Sequence, residues 1–309
     1  LILWLFDVAQ QKNKNDVKIS NNQDIIINHL GDVKDLLKTI DSIKSQSFTL
    51  QKINLIIFNF SNEDIKSIVN VYKNIFLGIN VIKSNHFDNK DHYLDLDKNI
   101  ILGNQVLVIK SGMTISENFI QGVSNLFFQS DQSVLLFPII YKYMHRKNIF
   151  FQLFNSFFTI LKFSCINKGL YNQISLYDNC FVIKKNIFIE AISNEGYNFT
   201  LQSILDSNIY VYQEEVFRLY FSELKFFYLM YAAINFLFII VVTAFLSTPS
   251  AYLLFIILIK TIPEIIYIYS YYNKLKIKFP RMDFIIYLII LPFYIPIAIF
   301  NNRKLIFKR

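Results

Sequence analysis

The stretch Asp24-Ile25-Ile26-Ile27-Asn28-His29-Leu30-Gly31-Asp32-Val33-Lys34-Asp35-Leu36-Leu37-Lys38-Thr39-Ile40-Asp41-Ser42-Ile43 decides the fold. Asp24 to Ile27 is a short apolar run with the composition of a strand. Val33, Leu36, Leu37, Ile40 and Ile43 then recur at helical spacing and share one face. The alternation repeats downstream. Ile53 to Phe58 reads as a second strand, and Ile65, Ile68, Val69, Tyr72, Ile75 and Phe76 line one side of a second helix. Val106 to Ile109 reads as a buried strand, Phe119, Ile120, Val123 and Leu126 mark the helix after Ser116, and Val134 to Ile140 is another strand. This order predicts an α/β fold with a doubly wound, mostly parallel sheet, whose ligand site lies beyond the carboxyl ends of the strands.

Ile149 to Cys165 is rich in Phe but carries Asn155 and Lys162, which favours a buried or membrane-surface helix over a span. Cys180 to Ile183 is expected as a strand, followed by short helices near Asn186 and Thr200 and a strand at Ile209 to Tyr212. From Phe226 the character changes. Phe226 to Leu246 carries no charge, Ser247-Thr248-Pro249-Ser250 supplies a turn, and Ala251 to about Tyr271 is apolar apart from Lys260 and Glu264. A third stretch, Phe284 to Phe300, is interrupted by Pro292 and Pro296 and either crosses the membrane or re-enters it. The expected organisation is a hydrophobic stub (Leu1 to Phe6) and linker over 1–23, an α/β domain over 24–224, and a membrane region over 225–309. Two to three C-terminal membrane helices are expected there, near 226–246, 251–271 and 284–300.

Hydrophobic residues make up 53% of the 309, and the formal net charge is +8. Much of the basic surplus lies beside hydrophobic segments, in Lys274, Lys276, Lys278, Arg281, Arg303, Lys304, Lys308 and Arg309. That placing favours lipid headgroups over nucleic acid, and neither a zinc spacing nor a nucleic-acid signature accompanies it. The uncharged turn at 247–250 is expected outside and Lys274 to Arg281 inside, which puts the α/β domain in the cytoplasm of a protein integral to the cytoplasmic (inner) membrane. Cys165 and Cys180 have no paired spacing, so neither a disulfide nor a metal site is expected of them.

Ile25-Ile26-Ile27-Asn28, followed by the helix Asp35 to Gln46, resembles the opening strand and helix of the membrane-bound family-2 glycosyltransferases, whose fold is the nucleotide-sugar-binding glycosyltransferase-A type. Asp178-Asn179-Cys180-Phe181-Val182-Ile183-Lys184-Lys185 is similar to that family's mid-domain segment, and Lys260 to Glu264 and Pro292-Phe293-Tyr294 add support in the membrane block. The resemblance implies a sheet of the nucleotide-sugar-transferase type. It also implies nucleotide-pocket positions at Asn28, His29, Asn59 and Ser61, metal-motif positions at Lys110, Ser111 and Gly112, and acceptor-side positions at Asn179 and Lys184.

At these positions the chain departs from the family. Where an acidic pair should meet the donor base stands Phe58-Asn59-Phe60-Ser61-Asn62-Glu63; Asn59 keeps an amide for hydrogen bonding, whereas Phe60 replaces a glycine that admits the nucleotide. Where Asp-x-Asp should hold a divalent ion stands Lys110-Ser111-Gly112-Met113. Asp95-Leu96-Asp97 matches that motif literally but precedes the buried strand and is expected in a solvated loop. The general-base stretch, Gly196 to Gln202, has no carboxylate, and Glu195 and Asp206 are out of register. Tyr220 to Lys225 replaces the Gln-x-x-Arg-Trp of processive members, and the sole tryptophan is Trp4.

His86, His92 and His145 are scattered without metal-ligand spacing, and His29 is expected as a loop histidine at the pocket mouth. Lys260 and Glu264 form either a structural pair near the headgroups, with Lys260 snorkelling, or a functional intramembrane element. The expected function is that of a catalytically degenerate, membrane-anchored glycosyltransferase-like protein, a pseudoenzyme that binds or scaffolds in cell-envelope glycan or lipid assembly. Its expected partners are the lipid bilayer and a membrane protein or lipid-linked glycan, with no nucleic acid and no cofactor. The alternative is an active, non-processive glycosyltransferase that moves a sugar from a nucleotide-sugar donor to a lipid-linked or membrane-proximal acceptor, with Mg or Mn entering only in that case. A subunit of a membrane transport complex is a third reading.

Overall fold

A computed structural model describes residues 22–61, 64–83, 96–128, 133–141, 163, 166, 180–193, 201–203, 211–213, 225–276, 279 and 284. The chain divides into two compact units, one comprising Asp7–Lys142 and Phe163–Glu214, the other Leu1–Phe6, Tyr143–Lys162 and Glu215–Arg309.

The first unit is organised by β1, Gln23–His29, in which every residue is buried. A strand with no exposed residue must find partners for its backbone groups on both edges. β1 pairs in parallel with β2 (Ile53–Asn59) on one side and β4 (Gln105–Lys110) on the other. Further elements are β3 (Gly78–Lys83), β5 (Met113–Ile115), β6 (Val134–Phe137), β7 (Ile139–Tyr141), β8 (Cys180–Lys184), β9 (Leu201–Ser203) and β10 (Val211–Gln213). The main sheet is seven-stranded among the described residues, in the order β3-β2-β1-β4-β8-β6-β9, and β8 alone runs antiparallel to its neighbours. A three-stranded sheet, β5-β10-β7, accompanies it.

Side chains of successive strand residues point to opposite faces, and here both faces are apolar. Ile25, Ile27, Ile53, Leu55, Ile57, Leu107, Ile109 and Val182 enter one core, while Ile26, Ile56, Phe58, Val106, Val108, Phe181 and Ile183 enter another. The first core is covered by α1 (Val33–Lys44), α2 (Lys66–Tyr72) and α3 (Phe119–Phe128), and the second by Leu96, Ile101, Phe163, Ile166 and Phe188 of α4 (Lys185–Ser193). Each fully buried Ile or Leu contributes about 2 kcal/mol. α1 starts at Asp32, whose side chain accepts from Lys34 N, and buries Leu36, Thr39, Ile40 and Ile43.

The amino-terminal edge of the sheet is locked by a carboxylate. Asp24 is fully buried, and its oxygens accept from Asn54 Nδ2 at 2.6 Å, Leu102 N at 3.2 Å and Gly103 N at 2.5 Å. Three donors offset the loss of water around the charge. Gly103 has no room for a side chain, since a Cβ there would lie 2.3 Å from the Asn22 carbonyl oxygen.

Several expectations are corrected. Val134 to Ile140 is not one strand: Pro138, which lacks an N–H, separates β6 in the main sheet from β7 in the smaller one. No helix forms at Leu201–Ser203, which pairs in parallel with β6 as β9, because an open sheet edge overrides a weak local pattern. β3 escapes the sequence pattern because it is an edge strand only partly buried, without the apolar run of its neighbours. His29 is no loop residue but the fully buried end of β1. The stub at Leu1 to Phe6, the stretch from Ile149 to Cys165 apart from Phe163, and the third hydrophobic stretch beyond Phe284 lie outside the described residues.

The second unit contains α5 (Lys225–Ser247) and α6 (Ala251–Lys274), the latter capped by Ser250 accepting from Leu253 N. Among the described residues α6 is the helix long and apolar enough to cross a membrane, with a mean hydropathy of 2.0 over a window only 22% buried. The core helix of a soluble protein would be mostly buried. Phe255, Ile259, Ile262 and Ile266 are exposed, whereas Lys260, Glu264, Tyr267, Ile268, Tyr271 and Tyr272 are buried along one stripe. The Lys260 Nζ lies 3.0 Å from Glu264 Oε2 and 4.5 Å from the centroid of the Phe238 ring. It sits about 14 Å along α6 from Ala251, near the middle of the helix.

Gly103→Ala is expected to lower stability by about 1–3 kcal/mol through overpacking, read as a fall in thermal midpoint of the full chain. A second expectation concerns Tyr72, whose hydroxyl donates to Asp41 Oδ1 at 2.7 Å and joins α2 to α1. That hydrogen bond first, then burial and the Asp41 charge, raise the phenol above its ordinary value of 10.0. The neutral phenol is thus favoured in the folded state, so its contribution is intact below pH 10 and is lost as pH rises through the raised value. Tyr72→Phe should cost about 1 kcal/mol at neutral pH and flatten the alkaline limb of the stability profile.

Candidate functional site

Because β2, β1 and β4 are parallel and adjacent, their carboxyl ends share one edge of the sheet. In register, Asn28 stands opposite Phe58 and Lys110, and His29 opposite Asn59. The positions at which the resemblance implies a nucleotide pocket and a metal motif, separate in sequence, are thereby brought together. Order reverses here, with β2 and β4 on opposite sides of β1, which is where open α/β sheets bind ligands.

Backbone bonds continue the pairing past the strands. Phe60 N donates to His29 O at 2.9 Å, and Ser111 N donates to Asn28 O at 3.0 Å. The Asn59 side-chain oxygen accepts from Ser61 N at 3.0 Å and Ser61 Oγ at 2.8 Å, so it is committed to shaping its own turn. Phe60 packs against the second core, its ring stacked on Phe58 at 6.4 Å. Asn28, Asn59 and Ser111 are buried, and Ser61 and Lys110 are half-buried.

The turn after β4 is held from α1. Gly112 N donates to Asp35 O at 3.0 Å and to Thr39 Oγ1 at 2.9 Å, and Gly112 adopts φ 86, in the left-handed region. Ser42 Oγ accepts from Ile115 N at 3.3 Å, and Gln46 accepts from Ile120 N at 3.2 Å while donating to Ser116 O at 2.8 Å. Thr39, Ser42 and Gln46 thus position the segment from Gly112 to Ile120, a role the sequence reading missed. Their signal was polar residues at spacings of three and four on the inward side of an apolar helix.

Lys184 does not join this edge. β8 is antiparallel to β4, so Lys184 pairs with Gln105 at the start of that strand, about 16 Å along it from Lys110. Asn179, Asp95 and Glu195 lie outside the described residues. Asp97 caps a short 3-10 turn, its side chain accepting from Asn99 N at 2.9 Å. Cys180 is buried in the first core, and desolvation pushes its thiol well above the ordinary value, which makes it unreactive. Lys260 and Glu264 belong to the other unit.

A divalent ion of the Mg or Mn type requires several oxyanion ligands. The turn offers an ammonium at Lys110, a hydroxyl at Ser111 and no side chain at Gly112; the Asp35 carboxylate is the acidic group beside it. This donor set does not fit such an ion. No cluster of three or more His, Cys, Asp or Glu suited to a metal occurs among the described residues. The edge instead offers a cation, hydroxyls and amides, groups that bind an anion or a hydroxyl-rich ligand.

No protein-family model and no curated protein sequence matches the chain. Among solved structures, it is similar to S. aureus TarS 1-349 in complex with UDP-GlcNAc, at 14% identity and a TM-score of 0.44 over 69% of this chain and 65% of that one. The same TarS fragment in complex with UDP gives 14% and 0.42, over 63% and 60%. The mannosyltransferase PcManGT from Pyrobaculum calidifontis, in complex with GDP-Man and Mn2+, gives 11% and 0.48 over 83% and 72%. The chain spans less than two thirds of the length of these TarS fragments. The nucleotides, sugars and metal ion belong to those proteins.

Gly112→Ala is expected to destabilise by about 1–2 kcal/mol, and Gly112→Asn by less, since asparagine tolerates the left-handed region. Thermal unfolding of the two variants side by side reads the order.

Proposed function

We propose that this chain is a membrane-anchored protein of the glycosyltransferase-A type whose cleft binds without catalysing transfer, serving as a binding or scaffolding element in envelope glycan or lipid assembly. The observation that carries this reading is the edge formed by Asn28, His29, Asn59 and Lys110. It lies where an open α/β sheet receives its ligand, yet each of its three strands ends without a carboxylate. Sugar transfer of the family's kind draws on a base-binding acid, a metal-binding acid pair and a general base, and losing all three removes separate contributions to the rate. Lys110 supplies a positive charge in their place and suits retention of an anionic ligand. The exposed apolar surface of α6 supports anchoring in the cytoplasmic membrane, with α5 as a second span and the α/β unit on the cytoplasmic side.

Calorimetric titration of the full chain in detergent with nucleoside-diphosphate sugars, with and without Mn2+, tests the proposal. Weak, metal-indifferent binding is expected, lowered about tenfold by Lys110→Gln, with no released nucleoside diphosphate. Tight Mn2+-dependent binding with turnover would instead establish the active, non-processive transferase. Absence of any binding would remove the cleft from the account.

A further inference from the structure

The turn after β4 meets the start of α1 at one carboxylate. Asp35 belongs to the first turn of α1, three residues past the capping Asp32. A side chain in that place often reaches back to the cap's own N–H. Asp35 does not: among the described residues its carboxylate accepts no hydrogen bond, whereas Asp32 is committed to Lys34 N at 2.9 Å. The helix dipole accounts for an acid in this turn, but not for where its carboxylate lies. A Cβ added at Gly31 would stand 3.3 Å from Asp35 Oδ2, and one at Gly112 would stand 3.5 Å from its Cγ and 3.8 Å from its Oδ1. The half-buried Asp35 thus sits between the turn leaving β1 and the turn leaving β4, against a glycine on each side.

A second polar group comes from the strand itself. Ser111 N donates to Asn28 O at 3.0 Å, so the pairing of β4 with β1 extends one residue past Lys110. Side chains alternate along a paired strand, and Leu107 and Ile109 enter the core beneath α1. Ser111 continues that series towards the α1 side, where Asp35 stands, and Lys110 belongs to the other. Ser111 is only 6% exposed, and its hydroxyl makes no hydrogen bond among the described residues. Buried polar side chains ordinarily have a partner. A buried hydroxyl and a half-buried carboxylate that the described chain leaves unanswered, on either side of Gly112 and at the edge where open α/β sheets take ligands, point to one.

Chemistry selects the ligand group. One carboxylate repels phosphate and is too few ligands for a divalent ion, but its two oxygens accept from two adjacent hydroxyls at once. We propose that Asp35 and Ser111 form a subsite that reads the vicinal hydroxyls of a sugar ring, while the charge of a phosphorylated ligand is left to Lys110. This rests on the reading of the cleft as a binding site and says which part of the ligand the cleft discriminates. The acid absent from the ends of the three strands is then supplied by the helix that packs on them.

The test titrates the full chain calorimetrically with UDP-glucose, UDP, 2′,3′-dideoxy-UDP and inorganic pyrophosphate. Asp35→Asn is expected to weaken UDP-glucose about tenfold and to strengthen pyrophosphate, because a negative charge leaves the edge. Ser111→Ala should weaken UDP-glucose about threefold and leave pyrophosphate unchanged. The opposite signs separate hydroxyl recognition from a disturbed fold, which would weaken both probes alike. Two sources of the diol are told apart by the remaining ligands. If the ribose is read, the Asp35→Asn loss persists with UDP and vanishes with 2′,3′-dideoxy-UDP; if the hexose is read, it is already gone with UDP. Equal affinity of wild type and Asp35→Asn for UDP-glucose, or parallel weakening of UDP-glucose and pyrophosphate, overturns the proposal. A wild type that takes up none of the four ligands sinks the binding reading of the cleft and the subsite with it, whereas a wild type that binds and an Asp35→Asn variant that matches it sink the subsite alone.

Discussion

Pairing of β1 along both of its edges is the constraint on which the rest of the first unit depends. Seven buried residues in a row leave no backbone group that water can satisfy, so β2 and β4 must lie alongside. A slip of one residue would carry Ile25 and Ile27 into the core that now receives Ile26, exchanging the two faces. Asp24 opposes such a slip. Its carboxylate is answered by Asn54 from β2 and by the backbone leading into β4, so the same charge registers both neighbours at once.

The candidate site is the far end of that register. Whatever stands at the ends of β1, β2 and β4 is delivered to a common edge, and here it is an amide, an imidazole and an ammonium rather than carboxylates. α1 contributes twice, through apolar residues in the core and through Thr39, Ser42 and Gln46, which hold the segment after β4. The edge thus keeps an ordered frame whose three strand ends carry no carboxylate.

In the second unit, α6 divides its surface into an exposed apolar face and a buried one. Isoleucines and phenylalanine remain uncovered on one side, while the polar-tipped residues Lys260, Glu264, Tyr267, Tyr271 and Tyr272 are buried on the other. Placing the ion pair inward keeps charge off the exposed apolar face, and the Phe238 ring adds a further contact for the ammonium. Pairing within one helix, four residues apart, keeps the lysine and glutamate mutually neutral.

The amino-acid sequence by itself determined the elements whose signals are local: the buried runs of β1, β2 and β4, the helical period of α1 and α3, the uncharged run from Phe226 to Leu246 within α5, and the presence of Asn59 and Lys110 at the ends of β2 and β4. Such features are written in the spacing of apolar residues or in their identity. Tertiary structure alone decided the direction of β8, which sends Lys184 to the opposite end of the sheet from Lys110, and the capture of Leu201–Ser203 by an open edge. It also decided the burial of His29 and the use of Asp24 as an internal clamp. The physical reason is common to all four. Strand direction, edge capture and the partners of a buried polar group depend on residues distant in the chain, and no local period encodes them.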